Sequence, residues 1–500
     1  MSKIKKLAGQ TALYGLSSIV GRVLNFLLVP FYTSVLPLAD FGIYTELYAY
    51  VAFLNIVFLF GMETTYFRYS TKDTSKEQTS YNYTQSFVLL TSVVFSGLII
   101  LFSQPIASFL QYPQHYDYLI WLGLILFTDT ILAIPFARLR LQNRAGRFAF
   151  VKLFSIITTI SLNIFFLVFC RQIYLGKMLP DLQLYVEMIY VPGYEVGYIL
   201  LSNLIANALQ FPFHAPSFKG FRFSFNLEAI RPMFIYAYPL MFMGLAGMVN
   251  EVVDRIMLKF MLPDDFYAGL TSQEAVGVYG ACYKLSMFMT LAIQAFRYAG
   301  DPFFFSQAQN KNAPALFAKV MKYFIIVCTI IFLGVSVNLD LFGLLLRDES
   351  YRQGLMIVPV LLLANLFLGV YYNLSVWFKL TDRTFMGTFL SFFGAGVTIL
   401  ANFLLIPVIG YMGSAVATFI CYFLMAAGSY MLGNRYFPVP YNLKSAAFYI
   451  LLAVALVIIS IELHLPDPLF DYGFRFFLIL IYLLIVFARE RKDFRTRLDV

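Results

Sequence analysis

Fourteen apolar runs follow one another along the chain, and a fold that left them facing water would not be stable. They cover residues 8–35, 40–63, 83–110, 118–137, 150–170, 195–213, 233–260, 275–298, 319–346, 354–378, 385–409, 411–433, 445–463 and 473–489. At about 1.5 Å of rise per residue, some twenty apolar residues cross the ~30 Å hydrocarbon core of a bilayer. Inside that core each backbone N–H and C=O must find its partner within the protein, and a lone apolar segment achieves this only as a helix. The expected fold class is therefore an all-α polytopic membrane protein with about 14 transmembrane helices. Charged residues are 13% of the chain and apolar residues 60%, too little polar surface for a water-soluble protein of this length.

The positions of the charges give an orientation. The formal charge is +9. In a soluble protein this would suggest nucleic acid; here it lies mostly in the short loops on one side. Those loops and the span edges beside them hold Lys3, Lys5 and Lys6, then Arg138, Arg140, Arg144, Arg147 and Lys152, and later Lys379, Arg383, Arg435, Arg489 and Arg491. The opposite side holds Arg171, Lys177, Arg347 and Arg352. Such asymmetry predicts that both termini are cytoplasmic. The first run has no small-residue cleavage site and reads as a retained helix. Cys170, Cys282, Cys328 and Cys421 are scattered singly in apolar segments, which indicates neither a metal site nor a disulfide framework. The loops are too short for a folded domain, so function must reside in the helical bundle. That argues against a membrane-embedded glycosyltransferase or polymerase, which would need acidic residues or His in a sizeable loop.

A repeat divides the chain. Gly42, Tyr44 and Tyr48 in FGIYTELYAY recur as Gly277, Tyr279 and Tyr283 in VGVYGACYKL. A second echo aligns TTISLNIFFL with VTILANFLLI and matches Asn163 with Asn402. The order is preserved, so spans 1–6 read as duplicated in spans 7–12 with two helices appended. The expected division is 1–232, 233–444 and 445–500. An even number of spans per copy implies a pseudo-two-fold axis along the membrane normal.

Leu13–Tyr44 (LYGLSSIVGRVLNFLLVPFYTSVLPLADFGIY) resembles the first hairpin of the polysaccharide flippase branch, the Wzx-type lipid-linked oligosaccharide translocases, of the MOP exporter superfamily. So do YPLMFMGLAGMVNEVVDRIMLKFML with the following VGVYGACYKLS, and the glycine-rich turn IPVIGYMGSAVAT. The resemblance implies a V-shaped, MATE-like pair of six-helix lobes around a cavity that opens to alternate sides of the bacterial inner membrane. It implies flipping of an undecaprenyl-pyrophosphate-linked oligosaccharide to the periplasmic leaflet for polysaccharide biosynthesis. Partners would be that lipid-linked oligosaccharide, membrane lipids, and the polymerase or glycosyltransferases of the same pathway, with no nucleic acid. No cofactor is expected beyond coupling to an H+ or Na+ gradient, and no GxxxxGK[ST] motif for ATP occurs. The alternatives within the superfamily are a lipid II flippase and an ion-coupled small-molecule antiporter.

Charges inside the spans are the candidate site, since each costs about 2.5–3.5 kcal/mol at a helix centre on insertion scales. Arg22 and Lys284 lie near mid-span and suit a pyrophosphate or acidic sugar in a wet cavity, or else an internal ion pair. Glu251 and Arg255 stand four apart on one helix face, the spacing of a structural ion pair, while Asp254 is turned about 100° away. Arg255 remains a cavity candidate as well. Asp129, alone in its span, suits proton or sodium coupling, or an ion pair with Arg22. Arg297 is a candidate gate or headgroup contact. Glu46, Glu63 and Lys259 read as interfacial, near span ends. Pro30, Pro239, Pro359 and Pro407 are candidate kinks.

Overall fold

A computed structural model describes residues 20–24, 26–72, 74–142, 144–263, 265–307, 312–381, 383–463 and 465–495. The basic residues before Val20, the start of the first predicted span, and Arg497 in the tail lie outside the described residues. Among the described residues the secondary structure is helical, with no β-strand. Twelve helices are long and apolar enough to cross a membrane, and a bent pair supplies a thirteenth. The chain is a multi-pass membrane protein.

In chain order, α1 is Val20–Val35, the described part of the first predicted span. It is followed by α2 (Leu38–Thr71), α3 (Glu77–Leu101), α4 (Pro113–Leu141), α5 (Ala145–Tyr174), α6 (Glu195–Phe218) and α7 (Leu227–Met261). The bent pair, Ser272–Leu285 with Met287–Arg297, is α8, its halves inclined by 45°. Next come α9 (Ala313–Ser336), α10 (Ile357–Leu380), α11 (Phe385–Ile409), α12 (Tyr411–Tyr436), α13 (Leu443–Glu462) and α14 (Pro468–Arg491).

The predicted run 83–110 is not one helix. α3 stops at Leu101, and Ser103–Phe109 forms a separate short helix. Pro105 in its first turn has no N–H to offer the carbonyl of Leu101, so the α-helical ladder cannot run through. Pro359 also sits in a first turn, that of α10, where a missing N–H costs nothing.

The chain divides into two compact units, Met1–Lys259 with Gly269–Gly277, and Phe260–Ala268 with Val278–Val500. In the first unit, Leu47 and Phe58 of α2, Leu119, Leu122 and Leu126 of α4 and Leu200 of α6 share one buried core. α7 belongs to this unit. Phe234 stacks on Phe60 at 4.9 Å, and Arg68 lies 4.1 Å over the Tyr236 ring.

The segment Gly269–Gly277 packs on the start of α2 through both glycines of the sequence repeat. A Cβ on Gly42 would collide with the carbonyl of Gln273, and one on Gly277 with the carbonyl of Leu38. These are backbone atoms at a helix crossing and cannot rotate away. We expect Gly277→Ala to cost about 1–3 kcal/mol through overpacking. Gly97→Ala, at a position with open space around it, should be neutral or slightly stabilising. Thermal unfolding of the purified variants compares them; equal melting points would show that the close approach carries no weight.

In the second unit, α11 and α12 are separate helices. Gly410 turns the chain between them at φ 60° and ψ −138°, a conformation that residues with a side chain rarely adopt. The ring of Tyr267 stacks on Tyr411 at 4.2 Å beside that turn. α13 and α14 are tied to α9 by polar contacts. Tyr449 donates to Glu490 at 2.6 Å, Lys322 donates to the other oxygen of Glu490 at 2.5 Å, and Thr329 and Tyr482 share a hydrogen bond of 2.6 Å. Asp340, in the connection after α9, receives Arg475 at 2.5 Å. Burial alone would raise the Asp340 carboxyl, but the Leu341 N–H and the Arg475 guanidinium outweigh it and hold it below the usual carboxylate range.

The second echo has the same local geometry in both copies. Asn163 donates to the carbonyl of Thr159 at 2.8 Å, and Asn402 to that of Thr398 at 2.9 Å. Both Asn residues are fully buried.

Candidate functional site

The first unit contains a polar seam through its spans. On α6, Asn203, Asn207 and Gln210 recur at i, i+4 and i+7, which places them on one helix face. Each finds a partner on another span. Asn203 donates to the Tyr48 hydroxyl of α2 at 2.7 Å, and Asn207 donates to the Asp129 carboxylate of α4 at 2.7 Å. Gln210 donates to Ser155 of α5 and to the Asn207 side-chain oxygen, both at 3.0 Å. Lys152, on α5, is the cation whose charge acts on Asp129. Its ammonium stands 4.4 Å from the Phe136 ring and its side chain is exposed. Asp129 and Tyr48 are half-buried. A carboxylate inside a span is costly unless it is hydrogen-bonded or paired, and here an amide of another span supplies the hydrogen bond.

The alternative pairing of Asp129 with Arg22 is not what the structure shows. Arg22 is exposed on α1, and the partner shown for the Asp129 carboxylate is the Asn207 amide, which donates to it. Lys152 was read from the sequence as a loop cation. It belongs to the seam because α5 begins at Ala145, about two turns earlier.

On α7 the predicted pairing also changes. Arg255 donates to the main-chain carbonyl of Glu251 at 2.7 Å, and its guanidinium lies 3.4 Å from the carboxylate of Asp254. The Glu251 carboxylate is exposed, whereas Asp254 and Arg255 are buried. The guanidinium thus follows the buried neighbour, because an accessible carboxylate is satisfied by water and a buried one is not.

Lys259 and Glu46 are not interfacial. The Lys259 ammonium lies 2.8 Å and 3.0 Å from the two Glu46 oxygens, with the side chains 1% and 0% exposed. It also donates to the carbonyl of Leu110, and the ring of Tyr112 is 4.5 Å away. A buried pair of this kind is tolerated only with its remaining valences filled. Glu63 does stay half-exposed, paired with Arg140. Arg138, another residue read as a loop cation, is buried: it bonds Glu77, Gln78 and the carbonyl of Ser217, and so ties α3, α4 and α6 together.

In the second unit, Lys284 is half-buried two residues before Ser286, where α8 bends. Asn365 of α10 donates to the Ser286 hydroxyl at 3.3 Å across that bend. Arg297 is exposed and lies 4.1 Å over the Tyr372 ring. Among the described residues no cluster of His, Cys, Asp and Glu could hold a metal ion.

Comparison with known proteins gives three findings. The family model described as polysaccharide biosynthesis protein matches residues 7–296. An uncharacterized membrane protein of Methanocaldococcus jannaschii is 22% identical over 441 residues, covering 82% of this chain and 80% of its own. Among solved structures, a lipid II flippase MurJ in an inward closed conformation superposes with a TM-score of 0.72 at 13% identity, covering 95% of this chain and 99% of that one. An inward-facing multidrug resistance MATE family transporter of the MOP superfamily gives 0.62 at 13% identity, over 83% and 94%. The all-helical fold predicted from the sequence is therefore that of MATE and MurJ transporters.

Proposed function

Because the chain belongs to the polysaccharide biosynthesis protein family, we propose that it is a flippase of the MOP exporter superfamily for an undecaprenyl-pyrophosphate-linked oligosaccharide. It carries the repeat unit from the cytoplasmic to the periplasmic leaflet of the inner membrane by alternating access, with both termini cytoplasmic. The observation that supports this reading is the presence of cations inside or closing apolar spans, Arg22 and Arg297 exposed and Lys284 half-buried. An anionic pyrophosphate or acidic sugar is attracted to a surface that carries cations, whereas a cationic drug would be repelled. The basic loops on one side support the orientation. Asp129 with Lys152 is the proposed coupling centre, and the polymerase of the pathway receives the cargo.

A second reading is favoured by the likeness to the MurJ fold over nearly the whole chain, namely a lipid II-type cargo. Profiling of lipid-linked intermediates in a deletion strain separates the two. Accumulation of an oligosaccharide-linked polyprenyl pyrophosphate on the cytoplasmic face supports the first; accumulation of lipid II supports the second. Unchanged intermediates in a strain with no second flippase would remove both. Arg22→Ala and Lys284→Ala should reduce export while the protein remains in the membrane. Normal export by both variants would overturn the role of these cations.

A further inference from the structure

The connection between α5 and α6 carries an apolar surface that the transport reading does not use. Residues 175–194 form neither a span nor a polar loop. Pro180–Leu182 makes one 3-10 turn, and Gln183–Glu187 a short helix. The helical turn continues to Tyr190, whose N–H bonds the carbonyl of Val186 at 2.7 Å. Three i,i+4 pairs then define three sides. Val186 and Tyr190 face the protein and are buried. Gln183 and Glu187 form a polar flank, joined by a hydrogen bond of 3.1 Å. Leu184 and Met188, with Tyr185 and Ile189 beside them, face outward; Leu184 is 70% and Met188 80% exposed.

The segment is firmly seated, so the exposure is not that of a loose loop. The Tyr190 ring stacks on Tyr198 at 5.4 Å, and Tyr198 stacks on Phe166 at 5.0 Å. The Val191 N–H donates to the Tyr198 hydroxyl at 2.6 Å. A large apolar face held rigidly outward needs a partner, since in water it would oppose folding.

The neighbouring surface identifies that partner. Along α5, Phe150, Ile157, Phe165 and Phe169 are exposed on one side of a membrane span, which makes that side the lipid-facing one. Beyond the end of α5 the chain exposes further apolar residues, Leu175, Met178 and Leu179, with Lys177 and Asp181 among them, before it reaches Leu184 and Met188. An exposed apolar face that directly follows a lipid-facing span in the chain, flanked by the polar Lys177, Asp181, Gln183 and Glu187, has the pattern of an interfacial amphipathic element. We propose that residues 175–191 lie in the bilayer interface, with Leu184, Tyr185, Met188 and Ile189 inserted among the lipids of the leaflet on that side.

The test is site-directed spin labelling of the full chain in phosphatidylglycerol and phosphatidylethanolamine vesicles. The four native cysteines are buried, so an introduced cysteine is the accessible labelling site. Nitroxides at Leu184→Cys and Met188→Cys are compared with Phe169→Cys, in the lipid-facing stripe, and Lys219→Cys, in an exposed loop. We expect the labels at 184 and 188 to group with Phe169, relaxed more by oxygen than by a water-soluble nickel chelate. If they group with Lys219, the face is in water and the proposal is overturned. If both reagents are excluded, the face is covered by protein, and the proposal is overturned as well. Because all these side chains are exposed, the variants leave the packed interior untouched.

Discussion

Lys259→Met is expected to destabilise the protein by about 3–5 kcal/mol, because it leaves the Glu46 carboxylate buried without its cation. The pair joins the early part of α2 to the last turn of α7, and the carbonyl of Leu110 completes the coordination of the ammonium. The Tyr50 hydroxyl, at 3.1 Å, donates only a neutral hydrogen bond to Glu46 and cannot replace the charge. The double variant Glu46→Leu/Lys259→Met should recover most of the loss, since exchanging a buried ion pair for apolar side chains of similar volume is often neutral or stabilising. Denaturant or thermal unfolding of the four proteins in detergent completes the cycle. A single variant as stable as the parent would mean that the pair contributes no more than an exposed one, about 0–1 kcal/mol.

Asp129→Asn should reduce transport by about 10- to 100-fold, the equivalent of a charge-assisted interaction of about 1.5–3 kcal/mol. The substitution keeps the size of the side chain and its bond to Asn207, so the seam stays packed while the titratable charge disappears. Lys152→Met should act in the same direction and Lys152→Arg much less, because the charge that reaches Asp129 is retained. The measurement is export of the lipid-linked intermediate in a deletion strain carrying each variant at matched membrane levels. Parental export by Asp129→Asn would sink the coupling role and leave the seam a packing feature.

The misread residues share one cause. Glu46 and Lys259 stand near span ends, where snorkelling to water explains any charge. Their pairing depends on two helix ends meeting from positions far apart in the chain, which no local pattern reports. Arg138 and Lys152 were assigned to loops because hydropathy falls at them, although the helices continue and enclose them or bring them to the seam. The α6 stripe was legible in principle: Asn203, Asn207 and Gln210 at helical spacing marked a polar face. Its partners Tyr48, Asp129 and Ser155 were not, since each lies on a different span.

The helical class, the apolar spans, the turn at Gly410 and the two internal echoes follow from the order of residues alone. They rest on local physics: backbone groups in lipid must be satisfied within a segment, glycine alone takes certain dihedrals freely, and repeated residues report duplication. The tertiary structure decided the charge partners, turning Arg255 to Asp254, Lys259 to Glu46 and Asp129 to Asn207 and Lys152. It also decided why Gly42 and Gly277 must be glycine. Pairing energy depends on distance and desolvation, and both are set only once helices distant in the chain have packed.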